Sequence, residues 1–128
     1  MDRESKTLVW NRAALNSGGA KPREGDRALA DALKVHSLVM NGGVHHAVEV
    51  IGVAGVHAAV AGFEYFGLVA VGEVLRDVLH SPLLREWNDD TEAEANRRYA
   101  EILPDDGALV VQFERAFLSQ PGDFAAVL

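Results

Sequence analysis

Residues 44–72, VHHAVEVIGVAGVHAAVAGFEYFGLVAVG, decide the fold class. Val48, Val50, Ile51, Val53, Val56, Val60, Val69 and Val71 each favour a strand. No part of the stretch, however, alternates apolar with polar positions as a half-buried strand must, and alanines fill the intervals. The stretch therefore predicts helices over 44–51, 56–66 and 69–80, broken around Gly52 to Gly55 and at Gly67. The last is the clearest: Val71, Val74, Leu75, Val78 and Leu79 repeat at helical spacing, with Glu73, Arg76 and Asp77 opposite. The uncharged run 50–63 has 14 residues, short of the ~20 that span a bilayer, and is expected to form core.

Working outward, 6–16 predicts a helix ended by Ser17-Gly18-Gly19. Asp26 is placed to cap a helix running to Met40, with Leu29, Leu33, His36 and Met40, joined by Ala32 and Val39, on its inner face. Asn41-Gly42-Gly43 then acts as a structural turn, its glycines free to take the positive φ of a helix stop. Towards the C-terminus, Ser81-Pro82 starts a brief turn through Trp87, and Thr91-Glu92-Ala93-Glu94 reads as a capping box for a helix to Leu103. Asp105 or Asp106 caps a last helix carrying Leu109, Val110, Phe113, Ala116 and Phe117 on one face, closed by Pro121-Gly122. The expectation is a single all-α domain over 1–128, a bundle of seven or eight short helices.

At 128 residues the chain has room for one domain, and its lack of cysteine excludes disulfides, thiolate metal sites and cysteine nucleophiles. The opening Met1-Asp2-Arg3-Glu4-Ser5-Lys6 carries no secretory signal, so a cytoplasmic location is expected. Charge is one-sided. Residues 1–85 balance nine acids with nine bases, whereas 86–128 hold ten acids and three arginines, the whole net charge of −7. Such a surface repels nucleic acid and anionic lipid and attracts basic partners, so no direct nucleic-acid or membrane partner is expected. Glu86, Asp89, Asp90, Glu92, Glu94, Glu101, Asp105 and Asp106 form the candidate partner-binding acidic face. Several of them also lie at predicted helix starts, where a carboxylate is stabilised by ~0.3–1 kcal/mol.

No catalytic residues are assigned. GxSxG, phosphate-loop and dinucleotide signatures are absent, and adjacent His36 and Ser37 point about 100° apart on a helix. Asp77 and His80, three residues apart, fit a histidine at a helix C-terminus better than an acid–base pair. No metal or other cofactor is expected. The weaker alternative is a metal or small-molecule site at His45, His46 and Glu49, although the spacing matches no zinc motif. A further alternative is an immunity-type interaction module that does not use the acidic face.

Asn41-Gly42-Gly43, the Ala- and Gly-rich helices after it, Phe66-Gly67 before an amphipathic helix, and the order Arg98-Tyr99, Leu103, Asp105-Asp106, Phe113, Phe117, Pro121, Phe124 resemble the bacterial DNA-mimic-like domain family over residues 30–124. Here Val44, His45, His46 and Ala47 stand where that family carries aromatics. The resemblance implies an acidic all-helical protein, a homodimer, that occupies the DNA-binding surface of a transcriptional regulator. One turn of duplex, about 34 Å, carries roughly 20 phosphates, a number that the ten acids of 86–128 reach only in two copies.

Overall fold

A computed structural model describes residues 3–80 and 88–127. These form six α-helices, α1 (Arg3–Asn16), α2 (Glu24–Gly42), α3 (Val44–Tyr65), α4 (Val69–His80), α5 (Asp89–Ile102) and α6 (Gly107–Ser119), followed by a 3-10 turn at Pro121–Asp123. The described residues contain no strand, so the all-α class holds.

The helix number is six rather than seven or eight, with the two segments of the valine-rich stretch counted together as α3. Gly52 takes φ 75°, ψ 174°, outside the helical region, so the helix is interrupted at the expected glycine and the two predicted segments meet across a kink. None of the described residues lies within 4 Å of where a Gly52 side chain would begin, so the glycine serves the backbone angle rather than a close approach. The predicted turn at Ser81-Pro82 through Trp87 lies outside the described residues.

The valines work as helix core. Val44, Val48, Val56, Val60 and Phe63 of α3 are buried, as are all five apolar positions expected on α4. By length and composition α3 could cross a bilayer. In this fold it is the central helix, packed against α2, α4 and α5, with Val50 and Val53 left exposed. Its pairing with α2 is the most extensive in the molecule. The two backbones approach closely at Gly62, where a Cβ would stand 2.5 Å from the Ala28 carbonyl oxygen. On α2 the inner face comprises Leu29, Ala32, His36 and Val39, but Met40 turns out to solvent.

Asp26 is the largest correction to the capping scheme. Helix α2 starts earlier, with Arg23 at the N-cap, and Asp26 lies three residues inside, fully buried. Its Oδ2 accepts from the Arg23 amide at 3.0 Å and the Ala125 amide at 2.7 Å, while Oδ1 accepts from Arg12 Nη2 at 2.9 Å. Arg12 also donates to the Ala125 and Ala126 carbonyls. One carboxylate thereby ties α1, the start of α2 and the C-terminal tail together. Phe124, packed among Phe113, Phe117 and Gly25, anchors the same tail by burial.

One further cap differs from expectation, and the last falls on the expected pair of acids. Asn88, rather than Thr91, is the N-cap of α5: its side chain accepts from the Thr91 amide at 3.0 Å, and Thr91 Oγ1 accepts from the Asn88 amide at 3.2 Å. At α6 Asp106 occupies the cap position but makes no side-chain cap bond, whereas Asp105 Oδ1 accepts from the Gly107 amide at 2.8 Å.

Candidate functional site

Helix α5 rests on the bundle along a narrow seam. Only Ala95 and Tyr99 are buried within it, continued by Leu103, at a spacing of four residues. At 100° per residue, Asp90, Glu94, Arg97 and Glu101 fall on the side opposite that seam. All four are exposed. The sequence pattern thus places three of the eight candidate acids in one outward stripe.

The stripe is partly neutralised from within. Arg97 Nη2 donates to Glu94 Oε1 at 2.6 Å and Nη1 to Glu101 Oε1 at 2.5 Å, holding one carboxylate on each side. The hydrogen bonds from Arg97 keep the Glu94 carboxyl below its ordinary range. Arg98 reaches across to Asp77 at 2.9 Å, pinning α5 to α4 and occupying a carboxylate considered for acid–base chemistry.

The remaining candidate acids divide into two groups. Asp89 lies beside Asp90 at the amino end of α5, where carboxylates complement the helix dipole. Glu92 is half-buried, and its negative charge acts on His45. Asp105 and Asp106 lie in the exposed turn between α5 and α6, about 20 Å from Asp89 along a 14-residue helix. Glu86 lies outside the described residues.

Asp106 has a second contact that the sequence did not disclose. Its Oδ1 is 3.0 Å from Nε2 of His36, a side chain almost wholly buried on α2. The contact falls short of a well-directed hydrogen bond, and it sets a carboxylate against the ring N–H. On the other side of the ring, Nδ1 is 2.8 Å from the buried Tyr99 hydroxyl. Burial lowers the pKa of His36, opposed first by the charge of Asp106. Burial also raises that of Tyr99, which therefore keeps its proton. The Asp106 carboxylate oxygen beside Nε2 favours the neutral tautomer with its hydrogen on Nε2, in which Nδ1 accepts from the Tyr99 hydroxyl.

The histidine-rich region does not assemble as a ligand set. His45 is buried, His46 packs its ring over Gly42, and Glu49 is exposed. Among the described residues no group of three or more His, Asp or Glu side chains could hold a metal ion. His80 instead faces His57, with ring centroids 6.2 Å apart.

The Asn41-Gly42-Gly43 turn behaves as a structural element. Gly43, at φ 95° and ψ 174°, separates α2 from α3, and its amide donates to Val39 O at 2.8 Å. The next amide, Val44, donates to Asn96 Oδ1 at 2.9 Å, so α5 completes the turn and both donors are used internally.

Two features escaped sequence reasoning. Arg97 was legible in principle, since its spacing of three from Glu94 and four from Glu101 is that of helix ion pairs. The His36–Tyr99–Asp106 contact joins positions 63 or more residues apart and has no local signal.

No protein-family model, curated protein or solved structure matches this chain.

Proposed function

We propose that this chain is a non-catalytic protein-binding module whose acidic edge, formed by α5 and the turn into α6, engages a basic surface on another protein. The observation that carries this reading is the outward stripe of Asp90, Glu94 and Glu101, opposite the seam that holds α5 in place. A helix attached along one side can be covered on the other without disturbing the core. Asp89 and Asp105 extend the negative edge at both ends. Its field would speed encounter with a cationic partner and set orientation.

The narrower form, occupation of a regulator's DNA-binding face, rests on the family resemblance. About 21 Å of duplex carries roughly 12 phosphates. The seven described candidate acids, offset by Arg97, supply about half of that density. DNA mimicry by this edge therefore calls for two copies side by side, whereas recognition of a smaller basic patch needs only one.

The test is capture from a bacterial lysate on immobilised full-length chain, in parallel with the D90N/E94Q/E101Q variant. A basic protein retained by the former and lost by the latter is expected. Equal retention by both would exclude this edge as the binding surface.

A further inference from the structure

A groove of about 600 Å³ runs between α1 and α2 and ends against Val50 and Ile51 of α3. Its walls are mainly apolar, with Trp10, Leu33, Met40 and Val50 prominent, and Met40 and Val50 are 46% and 56% exposed. The volume falls in the range of small-molecule sites, ~300–1,000 Å³.

The groove also contains a polar anchor. His36 is 98% buried and lines it, and among the described residues the polar neighbour of Nε2 is Asp106 Oδ1, 3.0 Å away and short of a well-directed hydrogen bond. A contact of that kind leaves part of the desolvation cost of a buried N–H uncompensated, which a well-placed ligand oxygen would remove. Asp106 stands beside it at the rim, 65% exposed, with no cap bond to restrain its side chain. That carboxylate can turn aside and accept a hydrogen bond.

We infer that this groove binds an uncharged aliphatic alcohol, its chain on the apolar walls and its hydroxyl between His36 and Asp106. The hydroxyl oxygen accepts from Nε2–H, and its proton is donated to the Asp106 carboxylate. One group meets both needs only if it is acceptor and donor at once, as an alcohol is. A carboxylate of the same length offers no donor and meets the negative charges of Asp105 and Asp106, while an alkane leaves Nε2 with only its poorly directed Asp106 contact. Lys34 at the groove edge is the one cation among its described lining residues and would be the source of any preference for an anion. The inference does not depend on the acidic edge binding a protein.

The experiment uses the ¹⁵N-labelled full chain titrated with 1-octanol and, separately, with octanoate. Saturable amide shifts at Leu33, Ser37 and Val50, with a matching shift of the His36 ring nitrogens, are expected for octanol. Octanoate should bind at least about tenfold more weakly, the effect of losing one hydrogen bond. H36F should weaken octanol binding by at least about tenfold for the same reason. V50D, at a half-exposed wall position, should do likewise by placing a charge in the groove. D106A should bring octanol and octanoate closer in affinity. If H36F does not fold, the two exposed-site variants carry the test. Non-saturable or scattered shifts, octanoate binding as tightly as octanol, or V50D and D106A binding both ligands like the parent chain would overturn the inference.

Discussion

Replacing Asp26 by alanine should be among the most damaging single changes in this molecule, because three donors converge on a carboxylate that water cannot reach. The substitution takes the counter-charge from the Arg12 guanidinium, 19% exposed, which keeps the Ala125 and Ala126 carbonyls, and leaves the amides of Arg23 and Ala125 without their acceptor. Breaking a buried ion pair by removing one partner costs about 3–5 kcal/mol, out of a total domain stability of ~5–15 kcal/mol. For a domain of this size that is a fall in Tm of roughly 10–20 °C. Removing the cation instead should cost less, since in R12A the Asp26 carboxylate keeps both amide donors and Arg12 can no longer be left unpaired. An apolar pair, R12M/D26L, should not restore stability fully, as the two amides still lose their acceptor. The assay is urea denaturation of the four chains, with amide exchange at Ala125 as a local probe of the tail. A D26A variant within ~0.5 kcal/mol of the parent, the range of ordinary surface substitutions, would refute the reasoning.

Other consequences can be tested in the same way. His36 and His45 both have pKa values lowered by burial, so the unfolded chain binds their protons more readily. Their contribution to stability is complete above the ordinary histidine value of 6.5 and is lost as pH falls from there through the depressed folded values. Denaturation midpoints at pH 7.5 and 5.5 should differ in the parent and differ less in H36F, where His45 remains; an unchanged difference in that variant would remove His36 from the explanation. Gly43→Ala should cost about 1–3 kcal/mol for its backbone angle, and more for a Cβ only 2.9 Å from the Asn96 amide oxygen. A thermal melt equal to the parent's would show that the turn relaxes freely. Tyr99→Phe should cost about 1–3 kcal/mol because it leaves His36 Nδ1 buried without its donor, and the ¹⁵N shift of that nitrogen should change. An unperturbed Nδ1 signal would place the phenol proton elsewhere.

The fold class was legible where periodicity was strong. The apolar positions of α4 and the Leu109, Phe113 and Phe117 face of α6 all emerge buried. The valines of α3 had to be judged against their own strand preference, and the absence of alternation gave the right answer. The interruption at Gly52 was legible, since glycine alone takes its positive φ freely, but its form was not, because a glycine inside an apolar run can end a helix or kink it. Asp26 was misplaced for a related reason: an acid near a helix start suits the N-cap and the third position alike, and contacts from Arg12 and Ala125 favour the latter. For the acidic face, the sequence showed the surplus of charge but not its division. The stripe on α5, the inward turn of Glu92 and the contact of Asp106 with His36 depend on how α5 docks, which is set by Ala95, Tyr99 and Leu103.

The proposed function is tested most directly by the salt dependence of affinity. Once a basic protein has been captured on this chain, its Kd should be measured in 0.05 M and 0.5 M salt with the parent and with D90N/E94Q/E101Q. The Debye length shortens from about 14 Å to about 4 Å over that interval, so contacts between exposed charges should weaken strongly. The account predicts at least about a tenfold loss of affinity in the parent and a much flatter response in the variant. A Kd that is unchanged by salt and shared by both chains would contradict it.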